Sequence, residues 1–517
     1  MHKIVIDPVH RIEGHLRIEV LLDGHEVKEA RSAGTLFRGF EVILRGRSPV
    51  DAQQLTQRVC GVCPIAHATA SALALDAAFG IADKVPANGR IIRNLILGSN
   101  MLQSHILHFY HLAALDYVDV AAAADYAGDN DDLAAVRDFI ARGRLAPFAP
   151  RYEGDYRLPR DLNLKATADY AEALRIRRTC HEMLAVFGGK MPHQCGIVPG
   201  GASDGPTPSK IASFLGRLDT VRRFVNDKYL PDVFAVAGAY ADHFAIGAGC
   251  RQYLTYGNFD QASSLAPLTG RNRFFAPGIW ADGKVDKVDV AAITEAVTHS
   301  RFEGDGPLFP HHETTIPQPN KPGAYSWLKS PRYNGRVFEV GPLASILVNY
   351  ALGHPVVKPL VDSALSTAGV GLDALPSVMG RHLARAIHAK VIADAMVEWL
   401  GQLKPGEPHC AEWTIPATGD GCGMTDAPRG GVAHWIRIRD HKTANYQLVV
   451  PTTWNASPQD DQDRPGPIEQ ALVGTRLRDP ENPFEVVRIV RSFDPCLACA
   501  VHLVTPRGQS LGEFRIA

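Results

Sequence analysis

The chain has 517 residues, 45% hydrophobic and 21% charged, so it is a globular protein able to bury a large core and not a disordered or low-complexity one. Its formal net charge of −1 gives no electrostatic footprint for nucleic acid or an anionic membrane. The first elements predicted are strands. Arg17–Val20 alternates polar and apolar residues, Leu22–His25 is a turn, and Glu26–Glu29 begins the return of a hairpin.

Helical patterns follow over Ile65–Phe79, Arg90–Tyr117, Asp161–Phe187 and Ser209–Phe244. The most apolar stretch, Val233–Gly249, is broken by Asp242 and His243 and is expected to be a core helix, not a membrane span. Between Gly257 and Arg336, glycine, proline and aromatics are frequent and periodicity is weak, which predicts loops and short strands. Val378, His382, Ala386, Val391, Ala395 and Trp399 then recur near helical spacing. From Cys410 onward the expectation is glycine-rich loops with strand-like runs such as Val486–Val490. No Pro/Ser/Gly linker separates independent domains. The fold class expected is mainly α with small β portions (α+β): a large helical core whose N- and C-terminal segments meet at a buried metal site. The N-terminus carries Asp7 and Pro8 where the apolar region of a signal peptide would continue, so export would need an address on another chain.

Nine cysteines are present, an odd count that argues against a disulfide framework. Four form two Cys-x-x-Cys pairs, Cys60/Cys63 and Cys496/Cys499, near opposite ends of the chain. The other five are expected to be buried small hydrophobes. Two residues between thiols let both sulfurs turn toward one point, and four thiolates complete a metal site. On spacing alone a structural zinc, a redox disulfide and a catalytic metal remain open. Arg58, His67 and Asp494 flank the pairs and are candidates to orient a ligand or balance thiolate charge.

Seven segments carry a resemblance. They are Asp-Pro-Val-His-Arg-Ile-Glu-Gly-His-Leu (7–16), Phe-Arg-Gly-Phe-Glu (37–41), Arg-Val-Cys-Gly-Val-Cys (58–63) and Gln-Ser-His-Ile-Leu-His-Phe-Tyr (103–110), then Ala-Pro-Arg-Gly (427–430), Val-Pro-Thr-Thr-Trp-Asn (450–455) and Asp-Pro-Cys-x-x-Cys-x-x-His (494–502). In this order they resemble the large, catalytic subunit of nickel–iron hydrogenases, nearly end to end.

The resemblance implies a bimetallic centre. Cys60, Cys63, Cys496 and Cys499 would bind nickel, and Cys63 and Cys499 would bridge to an iron carrying cyanide and carbon monoxide. Cys496, a cysteine and not a selenocysteine, implies the sulfur form. Glu13 would pass protons to and from Cys496, a role suited to a carboxylate one hydrogen bond from a thiolate. Arg429, after Pro428, would lie over the iron ligands and the open metal position, where a fixed cation can assist heterolysis. Asp426 stands where the family often has Glu. Thr452 matches a residue that hydrogen-bonds a cyanide, and Asp494 a carboxylate near the arginine. Glu41, the Leu448 carbonyl and His502 match a magnesium site. His105, His108 and His111 recur on a helix, the last two expected as core histidines.

The implied activity is reversible splitting of H2 into protons and electrons. With all four paired cysteines at nickel, the electrons would leave through a separate iron–sulfur small subunit. In relatives that partner often carries a twin-arginine signal, implying the periplasmic side of the cytoplasmic membrane, with the cytoplasm as the alternative. Residues 1–502 would form one interwoven unit. Residues 503–517 would be a C-terminal extension removed by a maturation endopeptidase once nickel-insertion factors have acted. An H2-sensing regulatory subunit is the rival, but relatives of that kind commonly lack such an extension. Respiratory-complex subunits related to hydrogenases have lost the cysteine pairs, which are intact here.

Overall fold

The computed structural model describes residues 2–143, 155–304 and 306–497. Cys499, His502 and the extension 503–517 lie outside the described residues. The predicted hairpin is part of an antiparallel meander, His2–Ile6, Leu16–Asp23 and Glu26–Gly34, with Ile18 opposite both Ile6 and Ser32. Leu16, Ile18, Val20 and Leu22 alternate inward and are buried, as the two-residue period of a strand requires.

The helices fall where periodicity places them: Pro64–Ala78, Ala87–Ile106, Arg160–Gly188 and Val378–Gly401. Ala87–Ile106 packs against both Arg160–Gly188 and Val378–Gly401 and continues into a widened π-helical stretch, Leu107–Ala113. The expected helix Ser209–Phe244 is not one straight rod. It runs as Pro208–Phe224, a π-helical stretch Val225–Tyr229, then Leu230–Ala239 and a tight turn Ala241–Phe244. Pro231 has no N–H for a carbonyl four residues back, which explains the widening just before it. The Val233–Gly249 reading is corrected accordingly, since its helix ends at Ala239. Among the described residues no helix is long and apolar enough to cross a membrane.

Residues 257–336 contain the expected short strands, including Asn258–Asp260 with Arg273–Phe275 and Ile293–Ala296 with Ser330–Tyr333. Two expectations are overturned nearer the C-terminus. The glycine-rich loops are an antiparallel sheet, Thr418–Ala427, Gly430–Arg439 and Lys442–Val449. Its glycines serve close packing. A Cβ on Gly421 would stand 2.0 Å from the Ala74 carbonyl oxygen, and one on Gly423 would stand 1.9 Å from that of Ala70. The alanine-rich helix Pro64–Ala78 thus lies backbone to backbone on the first strand. Second, Val486–Val490 is not a strand but part of the helix Phe484–Ser492. Its β-branched run is overridden because Val486, Ile489 and Val490 pack inward, partly against Val378–Gly401, while Arg488 is paired with Asp155. Of the five unpaired cysteines Cys180 is buried, Cys250, Cys410 and Cys422 are half-buried, and Cys195 is exposed in the turn after a long helix.

Candidate metal centre

Cys60 follows a short helical turn, Gln57–Val59, in extended conformation, and Cys63 caps the helix Pro64–Ala78, with Pro64 preset for a first helical position. The Cys60 sulfur accepts the backbone N–H groups of Val62 at 3.2 Å and Cys63 at 3.3 Å. These donors favour a thiolate. Cys496 arrives from the other end of the chain, after the helix Phe484–Ser492 and the left-handed residue Asp494 (φ 56°). Its Sγ lies 3.4 Å from that of Cys60. The sulfurs of Cys60, Cys63 and Cys496 all lie within 4.8 Å of one another and are buried. Three soft donors at one point form a metal-ligand constellation, not a disulfide. Cys499, the fourth of the set, is outside the described residues.

The N-terminal loop closes on this centre. The Glu13 N–H donates to the Pro495 carbonyl at 3.3 Å, and the Leu497 N–H donates to the Glu13 carbonyl at 2.6 Å. Cys496 donates its own N–H to Thr452 Oγ1 at 2.9 Å, which leaves the Thr452 hydroxyl proton free to serve another acceptor. Burial, and then the Cys60 thiol, push the Glu13 carboxyl above its ordinary range, opposed by Arg429 and Arg38.

Pro428 and Arg429 form the two-residue turn between strands, with Ala427 opposite Gly430. Gly430 (φ 121°) is required there, since a Cβ would lie 2.5 Å from the Gly341 nitrogen. Arg429 is buried and its Nε lies 3.0 Å from Asp494 Oδ1. Burial opposes its charge, but Asp494 and the thiols of Cys496, Cys63 and Cys60 hold it protonated. Burial likewise raises the Asp494 carboxyl, against the pull of Arg429 and Arg385. Neither Nη1 nor Nη2 of Arg429 has a hydrogen-bond partner among the described residues. A buried guanidinium with two unused nitrogens beside converging thiols fits a metal centre carrying small acceptor ligands.

Glu41 and Leu448 also meet. Glu41 Oε1 accepts the Leu448 N–H at 3.0 Å, and Oε2 accepts the Thr315 hydroxyl. They line a cavity of about 70 Å³ together with Glu295 and Lys329. Lys329 is paired with Glu295 at 3.1 Å and with Glu313. Burial raises the Glu295 carboxyl well above its usual range; Lys329 opposes this, and Glu313 and Glu41 add to it. The carboxylates of Glu295, Glu41 and Glu313 hold the buried Lys329 ammonium charged against the burial that opposes it.

Other flanking residues sort differently. Arg58 is exposed and donates to the Gln54 carbonyl at 2.6 Å, so it ends a helix and does not orient a thiol. Asp426 turns away to Thr255 and to the Tyr256 N–H, and burial raises its carboxyl to about 6. His105 pairs with His388 at 3.0 Å, His108 with the Arg491 carbonyl at 2.7 Å, and His111 with the Tyr170 carbonyl at 3.2 Å. Arg38 is a site residue that sequence reading missed. It donates to the carbonyls of Arg58 and Val59, behind Cys60. Its place in the 37–41 motif was the available signal. Arg385, Lys329 and Glu295 gave none, because nothing local marks a charge as buried.

A family model described as nickel-dependent hydrogenase matches residues 38–502, and a HoxL-like model matches residues 3–33. The periplasmic [NiFeSe] hydrogenase large subunit of Desulfomicrobium baculatum is 43% identical, over 97% of this chain and 95% of its own length. The uptake hydrogenase large subunit of Rhizobium leguminosarum bv. viciae is 35% identical, over 99% and 97%. A solved Ni-Fe-Se hydrogenase from D. vulgaris Hildenborough superposes with a TM-score of 0.85 at 44% identity, covering 97% of this chain and 100% of that one. Converging thiols, the arginine above them and these likenesses agree: the chain belongs to the nickel-dependent hydrogenase family, as a catalytic large subunit acting on H2 at a nickel–iron centre.

Proposed function

We propose that Cys60, Cys63, Cys496 and Cys499 hold nickel and that Cys63 and Cys499 share it with an iron bearing cyanide and carbon monoxide. The observation that carries this reading is the meeting of three buried sulfurs within 4.8 Å beneath Arg429. When bound, the metal pair supplies an open coordination position at which H2 is split, giving two protons and two electrons. Glu13 takes a proton released at Cys496, since its backbone is bonded on both sides of that residue. Arg429, oriented by Asp494 and set in its turn by Pro428, holds positive charge over the reacting atoms in a water-poor site. Thr452 offers its remaining hydroxyl proton to a cyanide. Glu41, the Leu448 carbonyl and His502 would hold Mg2+, a reading supported by the meeting of Glu41 with Leu448 at one cavity.

The electrons pass to an iron–sulfur small subunit in a heterodimer, because this chain's paired cysteines are committed to nickel. The baculatum relative is named periplasmic, and the same side of the membrane is proposed here, reached through the partner's signal. Residues 1–502 act as one unit. A maturation endopeptidase removes 503–517 after nickel-insertion factors have filled the site.

Elemental analysis of the purified heterodimer tests the centre. Nickel and iron are expected, and Ser in place of Cys60, Cys63, Cys496 or Cys499 should abolish both nickel retention and activity, because a hydroxyl is a poor substitute for a soft thiolate. Stoichiometric zinc alone in active protein would overturn the reading.

A further inference from the structure

The helix Ala87–Ile106 carries Arg90 and Arg93 three residues apart, on one face of its first turns. Arg271 and Arg273 reach the same place from the stretch that leads into the strand Arg273–Phe275. All four line one cavity of about 30 Å³, together with Asp76, Asp260 and Ser264. Among the described residues its wall therefore carries four guanidinium groups and two carboxylates, an excess of two positive charges.

The carboxylates are already committed. Asp76 accepts Arg93 Nη1 at 2.6 Å and the Gly200 N–H at 2.7 Å. Asp260 accepts Arg271 Nη1 at 3.0 Å and Arg273 Nε at 2.7 Å. Arg93 and Arg273 are used on every nitrogen. Arg93 donates Nε and Nη2 to the carbonyls of Gly201 and Val198, and Arg273 donates Nη1 and Nη2 to those of Tyr256, Gly257 and Met424. Arg90 and Arg271 differ. Arg90 gives only Nη1, to the Asp260 backbone carbonyl at 2.9 Å, and Arg271 gives only the Nη1 that meets the Asp260 carboxylate. On both, Nε and Nη2 have no partner among the described residues. These two nitrogens form one edge of the planar guanidinium, the edge that can grip two oxygens of an oxyanion side by side. Ser264 Oγ accepts the Ala266 N–H at 2.9 Å, which leaves its hydroxyl proton to donate. Burial works against the charges of Arg90 and Arg271; Asp260 opposes it in each case, and Arg273 adds to it at Arg271.

We propose that this cavity binds a small oxyanion, held by the Nε–Nη2 edges of Arg90 and Arg271 and by the Ser264 hydroxyl. Its volume is that of about two water positions, which admits inorganic phosphate or sulfate and excludes a nucleotide. An anion across Arg90 and Arg271 matches the excess charge and fastens the stretch from Ser264 to Arg271 onto the first turn of the helix. Its effect is therefore on stability and not on turnover.

Selenate, a sulfate analogue, soaked into crystals of the heterodimer tests the site. Anomalous selenium density is expected between Arg90 and Arg271, and its absence overturns the proposal. In solution, heterodimer dialysed free of oxyanions should show a Tm that rises with inorganic phosphate beyond any rise in chloride at equal ionic strength. Selenate density without that phosphate-dependent rise would mark an adventitious ion only and also overturns the proposal. Arg90→Gln and Arg271→Gln each remove one gripping edge and leave Asp260 its contact with Arg273. Each should weaken phosphate binding, read by titration calorimetry, about 10-fold or more, with H2 turnover unchanged. Parent-like affinity for phosphate in both variants would show that the arginines do not hold the anion.

Discussion

Glu13 is joined to the Cys496 segment through its backbone, by the N–H of Glu13 to the Pro495 carbonyl and the N–H of Leu497 to the carbonyl of Glu13. The two residues are a parallel pair formed by opposite ends of the chain. This leaves the Glu13 side chain unencumbered by the task of holding the ends together. Burial raises its carboxyl and Arg429 and Arg38 oppose that rise, and a carboxyl in this position is suited to passing protons.

Glu13→Gln should therefore preserve the metal centre and the fold, since the backbone bonds remain and the amide fills the same volume. Turnover should fall about 100-fold or more, the scale of a lost acid–base group. H2 oxidation and hydrogen/deuterium exchange should fall together. A variant that turns over at the parent rate would show that the proton leaves by another group.

Arg429→Lys retains charge and loses the planar fork. The ion pair to Asp494 uses Nε, and a lysine cannot hold that contact while presenting two further nitrogens to the centre. Turnover should drop sharply with nickel and iron retained. An unchanged rate constant for H2 oxidation would reduce Arg429 to a partner of Asp494 only.

Much of this site was legible because chemistry constrains spacing. Two Cys-x-x-Cys pairs narrow the chemistry to a metal or a redox disulfide, and Glu13, Arg429, Thr452 and Asp494 each sit in a short motif. Residues whose role comes from tertiary burial were not legible. Lys329 and Glu295 read as surface charges in a weakly periodic stretch, yet they are paired in the interior beside Glu41. The same cause explains the fold errors. Val486–Val490 has strand propensity and is helical because of what it packs against, and Gly419, Gly421 and Gly423 read as loop until a helix is laid on them.

The glycine strand carries a stability prediction. Gly421 has an ordinary backbone conformation, so Gly421→Ala introduces no strain of its own. The added Cβ nevertheless meets the Ala74 carbonyl oxygen at 2.0 Å, and both sides of that contact are backbone. The helix that bears Cys63 must then move off the sheet, at a cost of about 2 kcal/mol or more. Thermal unfolding should show a lowered Tm together with reduced nickel occupancy. A parent-like Tm would mean the helix can shift freely, contrary to the close packing described here.

The last prediction concerns the end of the chain. The family match stops at residue 502, the histidine that closes the C-terminal motif, whereas the sequence runs on to Ala517. Cys496 lies against Cys60, Thr452 and Glu13. On the proposed maturation, the attached tail would keep the site open to metal insertion. Cutting after His502 would create a new carboxylate and, on the proposed magnesium reading, let the imidazole join Glu41 and Leu448. Active enzyme should therefore end at His502, and nickel-starved cells should accumulate the longer form. Intact-mass measurement of both populations decides the matter: the mass of full-length chain in protein that turns over H2 would show that the extension is a permanent part of the enzyme.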